Sequence, residues 1–220
     1  MPALFEVHRP QAWSQVVGQD KALRVIDQWR KRGLTGRAVW ISGKSGTGKT
    51  TIARLLAADA AEEFCITEVD AGRLTEANAN EAIRNLRPLA CFSKHGRVLI
   101  VNEAHRLDKA VVGAFLTLLE TDFPGHALVI FTTTVEGEAK FDGVPDSAPF
   151  LSRCAKLSLS QTSLSEPFAK RAAEIARAEQ LAPEEMTDDE LLSRCKRLAQ
   201  DNRSNLRAIL SAIDSGALMA

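Results

Sequence analysis

Gly43-Lys44-Ser45-Gly46-Thr47-Gly48-Lys49-Thr50 satisfies every fixed position of the phosphate-binding pattern G-x-x-x-x-G-K-[ST]. The residues around it supply the context that pattern needs. Ala38-Val39-Trp40-Ile41 leads in as an apolar strand, and Thr51-Ile52-Ala53-Arg54-Leu55-Leu56-Ala57-Ala58 leads out as an amphipathic helix. Glycines at 43, 46 and 48 let the backbone wrap closely around phosphates with its N–H groups turned inward. The N-terminus of the following helix adds a partial positive charge. In this pattern Lys49 reaches the β- and γ-phosphates and the Thr50 hydroxyl binds Mg²⁺, with Ser45, Thr47 and Thr51 completing the cradle. The stretch predicts a site for a nucleoside triphosphate together with Mg²⁺.

Working outward, strands and helices alternate. Residues 20 to 32 have helical spacing, with Ala22, Val25, Ile26 and Trp29 on one face. Phe64 to Val69 reads as a short strand, and Ala82, Ile83, Leu86 and Leu89 as a helix face. Val98-Leu99-Ile100-Val101 and Leu128-Val129-Ile130-Phe131 are apolar enough to be central strands covered on both sides. Between them lies a helix carrying Val111, Val112, Phe115, Leu116, Leu118 and Leu119. The alternation predicts an α/β fold with a parallel sheet between two helical layers.

The character changes near Ser158, after which no strand is expected. Ser163-Leu164-Ser165-Glu166 and Thr187-Asp188-Asp189-Glu190 each fit the capping box S/T-x-x-E. Ser204 is a candidate cap for a last helix with Leu206, Ile209, Leu210 and Ile213, ended by Gly216. The expected organisation is an α/β nucleotide-binding domain over 1–160 and a small all-helical lid over 161–220.

Composition narrows the class. Twenty-eight Lys and Arg balance 28 Asp and Glu, so any nucleic-acid surface must be local. Two such runs are Arg30, Lys31, Arg32 and Arg37, and Arg84, Arg87, Lys94 and Arg97. Cys65, Cys91, Cys154 and Cys195 are scattered without a C-x-x-C pair, which argues against a zinc ribbon and for buried thiols in a reducing cytoplasm. The N-terminus lacks a signal-peptide profile, and no run approaches a membrane span.

A second chemical cluster follows the strand ending at Val101. Acids at such a strand end serve a phosphate-loop ATPase in two ways: one holds Mg²⁺ through its water shell and the next polarises the attacking water. Glu103 is placed to be that general base. Asn102 stands where the metal-holding acid is expected. An amide oxygen accepts a hydrogen bond from a metal-bound water but brings no charge, which lowers Mg²⁺ retention by about ten-fold. His105 reads as structural.

These residues together resemble the AAA+ ATPases, and within them the clamp-loader group. The resemblance covers nearly the whole chain. Arg9-Pro10 and Val16-Val17-Gly18-Gln19 resemble the opening segment that lines the adenine pocket, which implies that role for Val17 and Gly18. Thr132-Thr133-Thr134 follows the fourth strand of the resemblance, where Thr134 matches the polar first sensor that is Asn in most relatives. Leu151-Ser152-Arg153-Cys154 matches the Ser-Arg-Cys motif, whose arginine reaches the ATP site of the neighbouring subunit. Ser204-Asn205-Leu206-Arg207 aligns with a lid segment that makes Arg207 the second sensor. The resemblance implies a P-loop AAA+ three-layer fold with a helical lid, ATP hydrolysis that is slow in the isolated subunit, an oligomer of AAA+ subunits, DNA, and a sliding clamp or other replication protein as partner. Besides Asn102, Thr134 and the residues before Arg207, one further departure stands out: clamp-loader subunits carry a helical collar, and this chain is expected to lack one, ending at Ala220 after the lid. Two other readings stay open. One is a helicase loader or a transposition or recombination regulator; the other is an ATP-binding assembly protein with little hydrolysis.

Overall fold

A computed structural model describes residues 3–89, 96–121, 123–134 and 147–219. Cys91, His95 and the basic residue Lys94 lie outside the described residues. Nine helices and five strands are described. The helices are α1 (Leu4–Val7), α2 (Asp20–Arg32), α3 (Lys49–Ala60), α4 (Glu76–Asn85), α5 (Lys109–Thr121), α6 (Ala148–Ser152), α7 (Ser165–Ala178), α8 (Asp188–Asp201) and α9 (Leu206–Asp214). The strands are β1 (Arg37–Ser42), β2 (Ile66–Asp70), β3 (Arg97–Asn102), β4 (Ala127–Thr133) and β5 (Cys154–Ser158). The chain divides into two compact units. One comprises residues 22–43 and 49–159, the other 1–21, 44–48 and 160–220.

The first unit is the sheet unit. Its five strands run in the order β2-β3-β4-β1-β5, and every pairing is parallel. The two apolar runs read as central strands are central: all seven residues of β4 and the four inner residues of β3 are buried. One sheet face carries Trp40, Leu99, Val101, Val129 and Phe131, covered by Ile83 of α4, Val112 and Phe115 of α5, and Phe150 of α6. The alternating residues Val39, Ile41, Val98, Ile100, Leu128 and Ile130 are equally buried. Helix α3 contacts β1, β3 and β4 and brings the fully buried Ile52 and Leu56. A phosphate-loop order with β1 beside β4 places the ends of β1, β3 and β4 together, the region where ligands of parallel α/β sheets bind.

An aromatic knot pins α6. Phe131 meets Phe115 at 5.2 Å and Phe150 at 5.0 Å, both edge-on, and Trp40 meets Phe150 at 6.0 Å. Phe150 is 1% exposed. Phe150→Ala is expected to destabilise the fold by about 3–5 kcal/mol. Urea unfolding checks this as a lower midpoint at unchanged slope. Leu89, by contrast, lies beyond α4 and is exposed, so Leu89→Ala is expected to cost less than about 0.5 kcal/mol.

The second unit is helical. Leu164, Phe168, Ala172, Ile175, Leu191, Cys195, Ile209, Leu210 and Ile213 form its core, and Leu4 from the N-terminal segment joins them. The Thr187 capping box forms as read: Thr187 N–H donates to Glu190 Oε2 at 3.0 Å, and Glu190 N–H donates to Thr187 Oγ1 at 3.3 Å. The Thr187 N–H, and the Thr187 hydroxyl that donates to the same Oε2 at 3.1 Å, hold the Glu190 carboxyl below its ordinary pKa.

Three local expectations fail for geometric reasons. Ser163 does not cap α7: it sits at φ 61°, the N-cap position is Leu164, and no side chain caps there. Ser204 does not cap α9: at φ 55° it bonds the Ser165 hydroxyl at 2.8 Å, and Asn205 accepts from Ala208 N–H instead. The strand read from Phe64 begins at Ile66, after a 3-10 turn over Glu63–Cys65. Strand β5 went unread in the sequence because it is a five-residue edge with only Cys154 and Leu157 buried. Cys65, Cys154 and Cys195 are buried free thiols, as expected, and burial pushes Cys154 up to about 12 and Cys195 up to about 11.

Candidate nucleotide and phosphate site

Gly43 ends the approach from β1, donating its N–H to Thr133 O at 3.3 Å, and Lys49 opens α3 six residues later. Between them the loop uses positive φ at Gly46 (76°) and Gly48 (97°), a conformation that side chains resist. Thr47 folds back on Lys44, its Oγ1 donating to Lys44 O at 2.8 Å. Lys44 and Ser45 are exposed, while Thr47, Lys49 and Thr51 are buried.

Within the helical unit the loop segment 44–48 is gripped from two sides. Gln19, 1% exposed, donates through Nε2 to Thr47 O at 3.2 Å and to Ser160 O at 3.3 Å, and accepts from Ser160 N–H at 2.8 Å. Asn205 lies against Gly46, where a Cβ would overlap its side chain. Gln19, part of the Val16-Val17-Gly18-Gln19 segment, thus ties three stretches of the chain together. Val17 packs on the helical core. Gly18, at φ 73°, leaves room that a Cβ would take from Leu164 at 2.8 Å. Arg207 is exposed on the first turn of α9, its guanidinium 5.2 Å from the Phe5 ring centroid.

Within the sheet unit, strand ends carry the second cluster. Thr50 Oγ1 donates to Asn102 Oδ1 at 3.5 Å, and Thr132 Oγ1 donates to the same oxygen at 2.9 Å. Asn102 Nδ2 donates to Glu68 Oε1 at 2.7 Å. Glu103 follows Asn102 in the left-handed region, at φ 53° and ψ 44°, which turns the chain sharply off β3. For a non-glycine residue that conformation costs about 1–2 kcal/mol, and it is a feature of sites more than of cores. Thr134 Oγ1 donates to Glu103 Oε2 at 3.4 Å. His105 lies beside the same carboxylate, Nε2 to Oε2 at 3.7 Å, with Nδ1 3.1 Å from Thr133 Oγ1. Thr132, Glu68 and His105 therefore join a cluster that the sequence reading built from Asn102, Glu103 and Thr134.

The donor set suits a hard cation: a hydroxyl and an amide carbonyl oxygen, 3.5 Å apart. No group of three His, Cys, Asp or Glu among the described residues could hold a metal unaided. A cation here would be Mg²⁺ carried largely by the phosphates, with Thr50 and Asn102 beside it.

Arg153 stands elsewhere in this unit, at the end of α6. Its Nη2 is 2.7 Å from Glu120 Oε1 on α5, and Nη1 donates to Pro149 O at 2.5 Å. The guanidinium is 37% exposed, so the ion pair holds it at the surface and not in the strand-end cluster. Of the basic runs, Arg30 pairs with Asp59 at 2.7 Å, Arg37 donates to Gly33 O and Arg97 to Pro88 O.

A parallel sheet ordered β2-β3-β4-β1-β5, a phosphate loop between β1 and α3, and polar residues at the ends of β3 and β4 define a phosphate-loop nucleotide-binding protein. More particularly, the chain belongs to the AAA family, the ATPase family associated with various cellular activities, whose model matches residues 39–157 of 220. It is related to the DNA polymerase III subunit tau of Bacillus subtilis, at 28% identity over 83% of this chain and 35% of that protein. It is similarly related to subunit gamma/tau of Mycoplasma pneumoniae, at 29% over 96% of this chain and 32% of that protein. The chain thus spans about a third of the length of these relatives. In fold it is similar to RuvB of Thermotoga maritima, with a TM-score of 0.71 at 19% identity over 94% of this chain and 64% of that one. Among the described residues no helix is long and apolar enough to cross a membrane.

Proposed function

We propose that this chain is an ATP-hydrolysing AAA+ subunit of the clamp-loader kind, a cytoplasmic, DNA-dependent oligomeric switch in DNA replication. The observation that carries this reading is the strand-end cluster, in which Thr50 meets Asn102 and Glu103 meets Thr134. The kinship with DNA polymerase III gamma/tau subunits supports the replication role.

In this reading Gly43, Ser45, Gly46, Thr47, Gly48 and Thr51 shape the phosphate cradle, and Lys49 binds the β- and γ-phosphates. Val17 and Gly18 face the adenine. Thr50 and Asn102 hold Mg²⁺, which when bound neutralises charge on the phosphates. Glu103 accepts the proton of the attacking water. Thr134 donates to the Glu103 carboxylate and keeps it aimed. Arg207 is the second sensor, and Arg153 serves the site of the adjoining subunit. The partners are further AAA+ subunits, DNA, and a sliding clamp or another replication protein. A second reading, an ATP-binding assembly protein with little hydrolysis, is favoured by the amide at Asn102.

Mass measurement with a slowly hydrolysed ATP analogue and primed DNA, run beside the ATPase rate, tests the proposal. An assembly that needs nucleotide and hydrolysis that rises with DNA are expected. A strict monomer with DNA-independent hydrolysis would overturn it. Lys49→Ala should lose analogue binding by calorimetry, by more than about a hundred-fold, and with it the assembly.

A further inference from the structure

Asn102 brings no charge to the place where Mg²⁺ is expected, yet a carboxylate is bonded to it. Glu68 lies on β2, the neighbour of β3. The register pairs Asp70 with Asn102 and Glu68 with Ile100, so Glu68 and Asn102 are diagonal neighbours on one face of the sheet. Asn102 Nδ2 donates to Glu68 Oε1 at 2.7 Å. That bond fixes the amide's orientation: its Oδ1 must face the other way, where it accepts from Thr132 and Thr50. The opposite flip would set an amide oxygen against a carboxylate and an N–H₂ group against two hydroxyls, which have acceptors to offer but lose these bonds. Glu68 is itself held by Arg54, Nε to Oε2 at 2.8 Å and Nη2 to Oε1 at 3.2 Å. Arg54 sits four residues after Thr50 on α3, one helical turn along.

We propose that Glu68 and Asn102 act as one unit in the Mg²⁺ site, Glu68 supplying the negative charge and Asn102 the oxygen that faces Thr50. Glu68 is a positioning residue: it acts through the amide. Partners that orient metal ligands typically matter by 10–100-fold in metal affinity. The Arg54 counter-charge places the effect of Glu68 at the low end of that range. The pair also explains why Asn is tolerated at 102. An acid there would stand in hydrogen-bond contact with Glu68, and two carboxylates so close repel.

The inference rests on the ATP reading above, and its test separates the two. The probe is a fluorescent, non-hydrolysable ATP analogue, titrated with Mg²⁺ on the full chain. Glu68→Gln is expected to raise the Mg²⁺ midpoint about ten-fold while analogue binding without Mg²⁺ stays unchanged. Asn102→Asp alone is expected to give no tighter midpoint. The double change Glu68→Gln with Asn102→Asp restores charge and hydrogen bond with their owners exchanged, and should return the midpoint to that of the unaltered chain. Should Glu68→Gln fold poorly by thermal melting, Asn102→Asp, which keeps Glu68 and its pair with Arg54, still decides. A Glu68→Gln midpoint equal to the unaltered one would overturn the pairing. So would an Asn102→Asp midpoint already about ten-fold tighter, or a double variant whose midpoint stays about ten-fold away from that of the unaltered chain. If the unaltered chain binds no analogue at any Mg²⁺ concentration, the ATP reading fails and this inference with it.

Discussion

Glu103→Gln is expected to bind ATP as tightly as the unaltered chain and to hydrolyse it about 10²–10⁴-fold more slowly. The substitution is close to neutral for the fold. Glu103 already sits at φ 53°, and the amide keeps a carbonyl oxygen for the Thr134 hydroxyl, which now donates to Oε2 at 3.4 Å. It removes the one property a general base needs, a lone pair basic enough to take a proton from water. The side chain is 37% exposed, so solvent reaches it. Single-turnover hydrolysis and nucleotide retention on a filter separate the two effects: slow chemistry with unchanged binding supports Glu103 as the base. Hydrolysis at the unaltered rate would remove it, and His105, with Nε2 3.7 Å from the same carboxylate, would become the next residue to test.

What could be read from the sequence follows from how local each signal is. Gly43–Thr50 is contiguous, and its pattern encodes both a backbone path and its chemistry, so loop, strand and helix were legible together. The central strands were legible because burial on both faces leaves an unbroken apolar run, as in β4. The edge strand β5 has no such run and was missed. Ser163 and Ser204 matched a capping pattern but have positive φ, whereas a cap needs extended backbone; spacing alone does not reveal which residue of Ser204-Asn205 the chain will use. The strand-end cluster was half legible. Asn102, Glu103 and Thr134 announce themselves by following apolar runs. Glu68 is 34 residues from Asn102, and only the parallel register of β2 on β3 brings them together. Thr132 was legible as one of three threonines, but alternation puts only Thr133 on the other side, toward His105; which of Thr132 and Thr134 meets Asn102 is set by how far each lies along the chain, Thr132 still in β4 and Thr134 just past its end, beside Glu103.

Arg153→Ala is expected to lower turnover by about 10³–10⁵-fold and to leave ATP affinity unchanged. An arginine that reaches a neighbour's site acts on charge that develops only as the phosphoryl group transfers, so binding does not register its loss. The position of Arg153 fits that division. It sits at the end of α6, clamped on the surface by Glu120 at 2.7 Å and Pro149 O, and α6 is anchored by Phe150 in the aromatic knot. Because the pair with Glu120 is partly exposed on both sides, losing it costs the fold less than about 1 kcal/mol. A fall in turnover is therefore a local effect and not unfolding. Mixing distinguishes action across subunits from action within one. An Arg153→Ala subunit keeps its own Glu103, and a Glu103→Gln subunit keeps its own Arg153. In a head-to-tail assembly of equal parts, about a quarter of the sites join an intact Glu103 to an intact neighbouring Arg153. The mixture should then hydrolyse ATP at about a quarter of the unaltered rate, although neither variant alone does. An arginine acting within its own subunit yields no such recovery, since every chain in the mixture then carries one defect in its own site.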